Sequence, residues 1–150
     1  MSSPARDDRE PDLRIAGLRL WVHGRQFPDA DDYWDSNWLV ITARVEAKGA
    51  GVEIEGPLIR NTEIAAFAAE LRRLSETLRG TAKLDCLEPE LEVSLCPADA
   101  IGHIAIAISI TPDLLNQSHR FEFGTDQSHL PMLIAECEAI LEAHPVIGTP

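Results

Sequence analysis

The sequence predicts an α+β fold: a single, mostly antiparallel sheet of six to seven strands with two helices packed on one face, in the order βββ-α-ββββ-α. Three observations predict it. Most of the chain alternates apolar and polar residues at a period of two, as strands with one buried face do. Two segments, near 62–79 and 128–143, instead repeat their apolar residues at helical spacing. The connections are short, and no regular strand–helix–strand alternation suggests a parallel sheet.

Residues 1–11 (Met-Ser-Ser-Pro-Ala-Arg-Asp-Asp-Arg-Glu-Pro) carry charges where a signal peptide needs an apolar stretch, and read as a solvated tail. Residues 12–150 then form one domain. Leu13–His23 alternates as a strand with a change of phase at Ala16-Gly17, read as a bulge or bend. Asn37–Glu46 alternates without interruption, with Leu39, Ile41, Ala43 and Val45 on one face. Lys48-Gly49-Ala50-Gly51 is a hairpin turn, and Val52, Ile54 and Leu58 continue the core face of the next strand. Asn61 or Thr62 caps the first helix, with Glu63 near its positive end. Ile64, Phe67, Ala68, Leu71, Leu74 and Leu78 form the buried stripe, and Gly80 marks the stop. Four strands follow, carrying Leu84, Val93, the run Ile104, Ile106, Ile108 and Ile110, and Phe121 with Phe123. In the second helix Pro131 must lie in the first turn, where no donor is needed, which makes Ser128 the preferred cap.

Net charge is −12, and from Glu76 onward only three basic residues face twelve acidic ones. Such a field repels nucleic acid and anionic lipid and accelerates encounter with a basic partner; acidity that serves only solubility accounts for it equally well. In a single sheet, Glu53, Glu55, Asp85, Glu90, Glu92 and Glu122 gather with Lys83 on one outer face. The apolar runs fall short of the roughly 20 residues that span a bilayer. Three cysteines without paired spacing do not form a disulfide framework, and a reducing cytoplasm fits them.

Catalytic chemistry finds little support. The aspartates at 29, 31, 32 and 35 lack the oxygen-ligand spacing and the glycine of a calcium loop. Neither the cysteines nor the histidines have the spacing that converges on zinc. Cys86 and Cys137 fall on apolar faces, and Ser128-His129 reads as a helix cap rather than an acyl-transfer pair. No metal, cofactor or catalytic residue is assigned, and the chain reads as a non-enzyme.

Tyr33-Trp34-Asp35-Ser36-Asn37-Trp38-Leu39 remains, holding two of the three tryptophans and the only tyrosine. Large rings suit half-buried positions with one wet edge. Either they close one end of the sheet, with Asp35 and Asn37 bonding local backbone, or they anchor a partner, since Trp and Tyr are enriched in binding hot spots. The two roles are compatible. The partner-binding candidates are Asp31, Asp32, Tyr33, Trp34, Asp35 and Trp38, with Glu90 and Glu92 from the acidic face.

Four motifs in order, Trp34-Asp35-Ser36-Asn37-Trp38-Leu39, Leu87-Glu88-Pro89-x-Leu91, Asp126-Gln127-Ser128-x-Leu130 and Pro145-Val146-x-Gly148, resemble the WapI-like family of small bacterial immunity proteins. Their order and spacing extend over most of residues 13–148; Pro131, directly after the third motif, departs from the family pattern. The resemblance implies a cytoplasmic protein that neutralises a polymorphic toxin, commonly a nuclease, by direct binding. The protein partner is then a basic toxin domain. The alternative is a structural or adaptor protein, homo-oligomeric through Trp34 and Trp38.

Overall fold

The computed structural model describes residues 9–150; the first eight residues of the expected tail lie outside it. Its elements are β1 (Leu13–Ile15), β2 (Leu18–Arg25), α1 (Tyr33–Ser36), β3 (Trp38–Ala47), β4 (Ala50–Arg60) and α2 (Asn61–Thr77). There follow β5 (Ala82–Asp85), β6 (Leu91–Pro97), β7 (His103–Ile110) and β8 (Arg120–Asp126), a 3-10 turn at Gln127–His129, and α3 (Leu130–Ala143). The class is α+β and the pairing is antiparallel, as expected, but the sheet is not single. Two four-stranded meanders form, β1-β2-β3-β4 and β5-β6-β7-β8. Alternation reveals that a strand has a buried face, not which strand it pairs with. With α2 inserted between β4 and β5, these two strands do not pair, and the sheet divides there.

The eighth strand comes from the phase change at Ala16-Gly17. It is a hairpin rather than a bulge: Ile15 pairs with Leu18 and Leu13 with Leu20. Reversing the chain through two residues turns Leu13, Ile15, Leu18, Leu20 and Val22 to the same side, and all are buried. Ala16 takes a positive φ of 51° to make the turn. A second phase change, in β4, was missed. The β3–β4 register slips between Leu39 and Val40, so Ile59 rather than Leu58 is fully buried.

The buried faces of both sheets share one core with α2 and α3. Phe67, Leu71 and Leu74 of α2 and Leu130, Leu133 and Cys137 of α3 supply the helical side of it. α2 packs on α3 and β5, while α3 covers β1. The cover is polar as well as apolar: the Glu136 carboxylate accepts the Arg14 N–H at 3.1 Å, satisfying a donor on the edge strand.

Both helix starts differ from expectation. The N-cap position of α2 is Arg60, and Asn61 is the first helical residue. Glu63 closes the turn instead, its carboxylate accepting the Arg60 N–H at 2.7 Å. Pro131 does lie in the first turn of α3, but His129 holds the N-cap position, and Ser128 sits inside the preceding 3-10 turn.

The division also breaks up the expected acidic face. Glu53 and Glu55 lie on β4, whereas Lys83, Asp85, Glu92 and Glu122 lie on the other sheet. In the first sheet Glu53 stands in register with Arg44 and through it with Arg19 and Arg14. In the second, Lys83 pairs with Glu92 at 3.4 Å and Arg120 with Glu122. Neither outer face is a continuous negative surface.

Candidate functional site

The aromatic-acidic segment folds into a single helical turn. Asp32 caps it, its carboxylate accepting the Asp35 N–H at 2.7 Å. The Asp35 side chain, expected to bond local backbone, is instead exposed along with those of Asp31 and Asp32. Tyr33 is half-buried. Trp34 stands against it edge to face, with ring centroids 5.1 Å apart, and remains 63% exposed.

Asn37 ends the turn and is buried at 1% exposure. Its Nδ2 donates to the carbonyls of Tyr33 at 2.8 Å and Ile147 at 3.0 Å, and its Oδ1 accepts the Ile147 N–H at 2.9 Å. One side chain therefore fastens the turn to the C-terminal segment. Arg25 adds a second tie, donating to the carbonyls of Ser36 (2.7 Å) and Pro145. Asn61 adds a third, through Nδ2 to the His144 carbonyl at 3.0 Å. Burial, together with the nearby Arg25 cation, holds the His144 imidazole below its usual pKa. Trp38 is half-buried with the Arg60 guanidinium over its ring, 5.5 Å from the centroid.

The same cluster reaches the second sheet through Glu63. Its carboxylate takes the Arg60 guanidinium at 3.2 Å and the Leu87 N–H at 2.6 Å. The loop from 86 to 90 is thereby held against the start of α2, and Glu90 passes the connection on, its carbonyl accepting the Thr111 N–H at 2.9 Å. Five segments meet at this end of the molecule: residues 26–38, the start of α2, residues 86–90, residues 111–119 and residues 144–148.

Of the candidates named from sequence, Asp31, Asp32, Tyr33, Trp34, Asp35 and Trp38 fall together here. Glu90 and Glu92 do not share their role. Glu90 is half-buried, with one carboxylate oxygen enclosed and lacking a hydrogen-bond partner. Glu92 lies on the outer face of β6, engaged by Lys83. The sequence reading missed Arg25, and it placed Asn61 and Glu63 only at the helix start without their role in organising this end. Each acts on backbone groups far along the chain, and periodicity carries no signal for such contacts.

Charge at this end is one-sided. Arg25 and Arg60 spend their guanidinium groups on carbonyls, on Glu63 and on the Trp38 ring. The exposed aspartates at 29, 31, 32 and 35 remain without such neutralisation in the described contacts. Among the described residues no group of three His, Cys, Asp or Glu side chains could hold a metal ion. Burial raises the thiol of Cys86, and pushes that of Cys137 up to about 12. No described helix is long and apolar enough to cross a membrane. A shallow pocket lies elsewhere, between β1 and the start of α3, lined by Arg14, Thr125, His129, Met132 and Glu136.

The fold and this end define a small α+β protein whose notable chemistry is an acidic and aromatic surface. The Immunity protein WapI-like family matches residues 12–145, and the chain belongs to that family. No curated protein matches it. Among solved structures, the plant transcriptional regulator PBF-2 is similar with a TM-score of 0.49 at 11% identity, covering 85% of this chain and 75% of that one. WHY3 from Arabidopsis thaliana gives a TM-score of 0.45 at 12% identity, covering 88% of this chain and 85% of that one.

Proposed function

We propose that this protein is a non-catalytic immunity protein that acts in the cytoplasm, neutralising a toxin domain by binding it through the end built around α1. Membership of the family supports a toxin as the partner. The observation that carries the choice of surface is Trp34, 63% exposed on a capped, fastened turn and flanked by the exposed carboxylates of Asp31, Asp32 and Asp35. A ring held rigidly in water adds apolar contact area at little further entropic cost when a partner covers it. The carboxylates steer a positively charged surface toward it, and a nuclease, which must attract phosphates, presents such a surface.

The test is inhibition. A candidate toxic domain, taken from a secreted protein whose gene adjoins that of this chain, is purified, and its nuclease activity is measured while this protein is added. Activity is expected to fall in proportion and to vanish at about one equivalent, as tight binding at one site requires. Full activity in the presence of a large excess would contradict the proposal.

A further inference from the structure

The loop between β7 and β8 carries a feature that the α1 surface does not account for. Leu115 is 94% exposed and Leu114 is 49% exposed at its tip. The loop is nevertheless ordered from within. The Asp113 carboxylate accepts the N–H groups of Leu115 at 3.1 Å and Asn116 at 3.3 Å, and Asn116 Nδ2 at 2.9 Å. The Asp113 carbonyl accepts the Gln117 N–H at 2.8 Å. At the loop's base, buried Thr111 receives the His119 N–H on its hydroxyl at 3.2 Å. Hydrogen bonding by Asn116 and by the loop amides holds the Asp113 carboxyl below its usual pKa, so it remains an anion beside the leucines.

Single exposed apolar residues are ordinary on protein surfaces; their gathering is not. Eight large apolar side chains are exposed among the described residues, and six of them, Phe27, Trp34, Leu87, Leu114, Leu115 and Val146, belong to the segments that meet at the α1 end. The hydrogen bonds from Asn37 Nδ2 to the Ile147 carbonyl, from the Leu87 N–H to the Glu63 carboxylate and from the Thr111 N–H to the Glu90 carbonyl join those segments. The geometry points to the 111–119 loop as a second contact for the same basic protein partner, with Leu115 entering an apolar recess and Asp113 facing a cationic group at its rim. Charge complementarity sets the occupant: the exposed aspartates of the 26–38 segment and Asp113 are anionic, while Arg25 and Arg60 are engaged internally. The inference rests on the binding reading above.

The experiment measures the dissociation constant with that same purified candidate toxic domain for the wild type, Leu115→Asn and Ile101→Asn, after melting shows all three folded. Leu115→Asn keeps the size and charge of the side chain and removes its apolar character. Ile101 is equally a loop residue, 82% exposed, but lies at the other end of β7. Leu115→Asn is expected to weaken binding roughly tenfold, as loss of one buried leucine does. Ile101→Asn should stay within about twofold, as a neutral surface change does. A wild-type complex that tolerates Leu115→Asn as well as Ile101→Asn would overturn this inference and leave the binding reading standing. Absence of a wild-type complex would overturn both.

Discussion

Replacing Asn37 by alanine is expected to destabilise the protein by about 3 kcal/mol, because three backbone groups lose their partner inside a buried site. These are the Tyr33 carbonyl and both the carbonyl and N–H of Ile147. In a chain of this length the loss lowers the melting temperature by roughly 10 °C. The effect has a second signature. If Asn37 acts by fastening the C-terminal segment, deleting residues 146–150 removes much of the same interaction. The two changes together should then cost clearly less than their sum. Full additivity in urea unfolding would show that Asn37 stabilises the fold by some other route. Asn37→Asp is expected to be no rescue. It keeps an acceptor for the Ile147 N–H but turns a carboxylate oxygen toward two carbonyls.

Gly17→Ala should cost a similar amount for a steric reason. A Cβ at this position would lie 2.4 Å from the Glu46 carbonyl oxygen and 2.8 Å from Phe123 Cζ. The first neighbour is backbone, fixed by the bond from the Glu46 N–H to the Gly17 carbonyl at 3.0 Å. The second is the ring through which β8 approaches the β1–β2 turn. A methyl group therefore separates the turn from the β3–β4 hairpin and presses on the second sheet, at a cost of about 2 to 3 kcal/mol. Truncating Phe123 in the same chain should not restore stability, because the Glu46 oxygen remains. A Gly17→Ala protein that melts with the wild type would show that the two sheets do not approach so closely at this point.

Much of the fold was legible in the sequence, and the errors have specific causes. Helical spacing located α2 and α3 because each buries one stripe, and Phe67, Leu71 and Cys137 fall where the period places them. The alternation in Asn37–Glu46 located β3 for the same reason. Pairing was not legible. A two-residue hairpin and a bulge both shift the phase by one, so the Ala16-Gly17 turn hid a strand. Alternation also says nothing of where one sheet ends and another begins, and so the acidic residues were gathered on one face that the structure divides. The caps failed differently. Asn61 has the chemistry of a cap, but its side chain is drawn inward by the His144 carbonyl, a partner 83 residues away. The aromatic turn was visible through composition, and so was the local bond from Asn37 to the Tyr33 carbonyl, whereas the ties of Arg25, Asn37, Asn61 and Glu63 to distant segments exist only in the folded chain. Exposed Leu115 carried no signal, because a leucine pair in a loop resembles any other short apolar stretch.

The central claim is that the α1 end binds a basic toxin domain, and the kinetics of that complex test it most directly. Association and dissociation are measured at two salt concentrations for the wild type, Trp34→Ala, and a variant carrying Asp31→Lys with Asp35→Lys. These side chains are exposed, so each variant should melt close to the wild type. Trp34→Ala is expected to leave association nearly unchanged and to hasten dissociation by about 2 kcal/mol, roughly 30-fold, as loss of a hot-spot ring does. The charge-reversed variant should associate more slowly and lose most of its salt dependence. Wild-type kinetics in both variants would place the toxin on another surface and contradict the account.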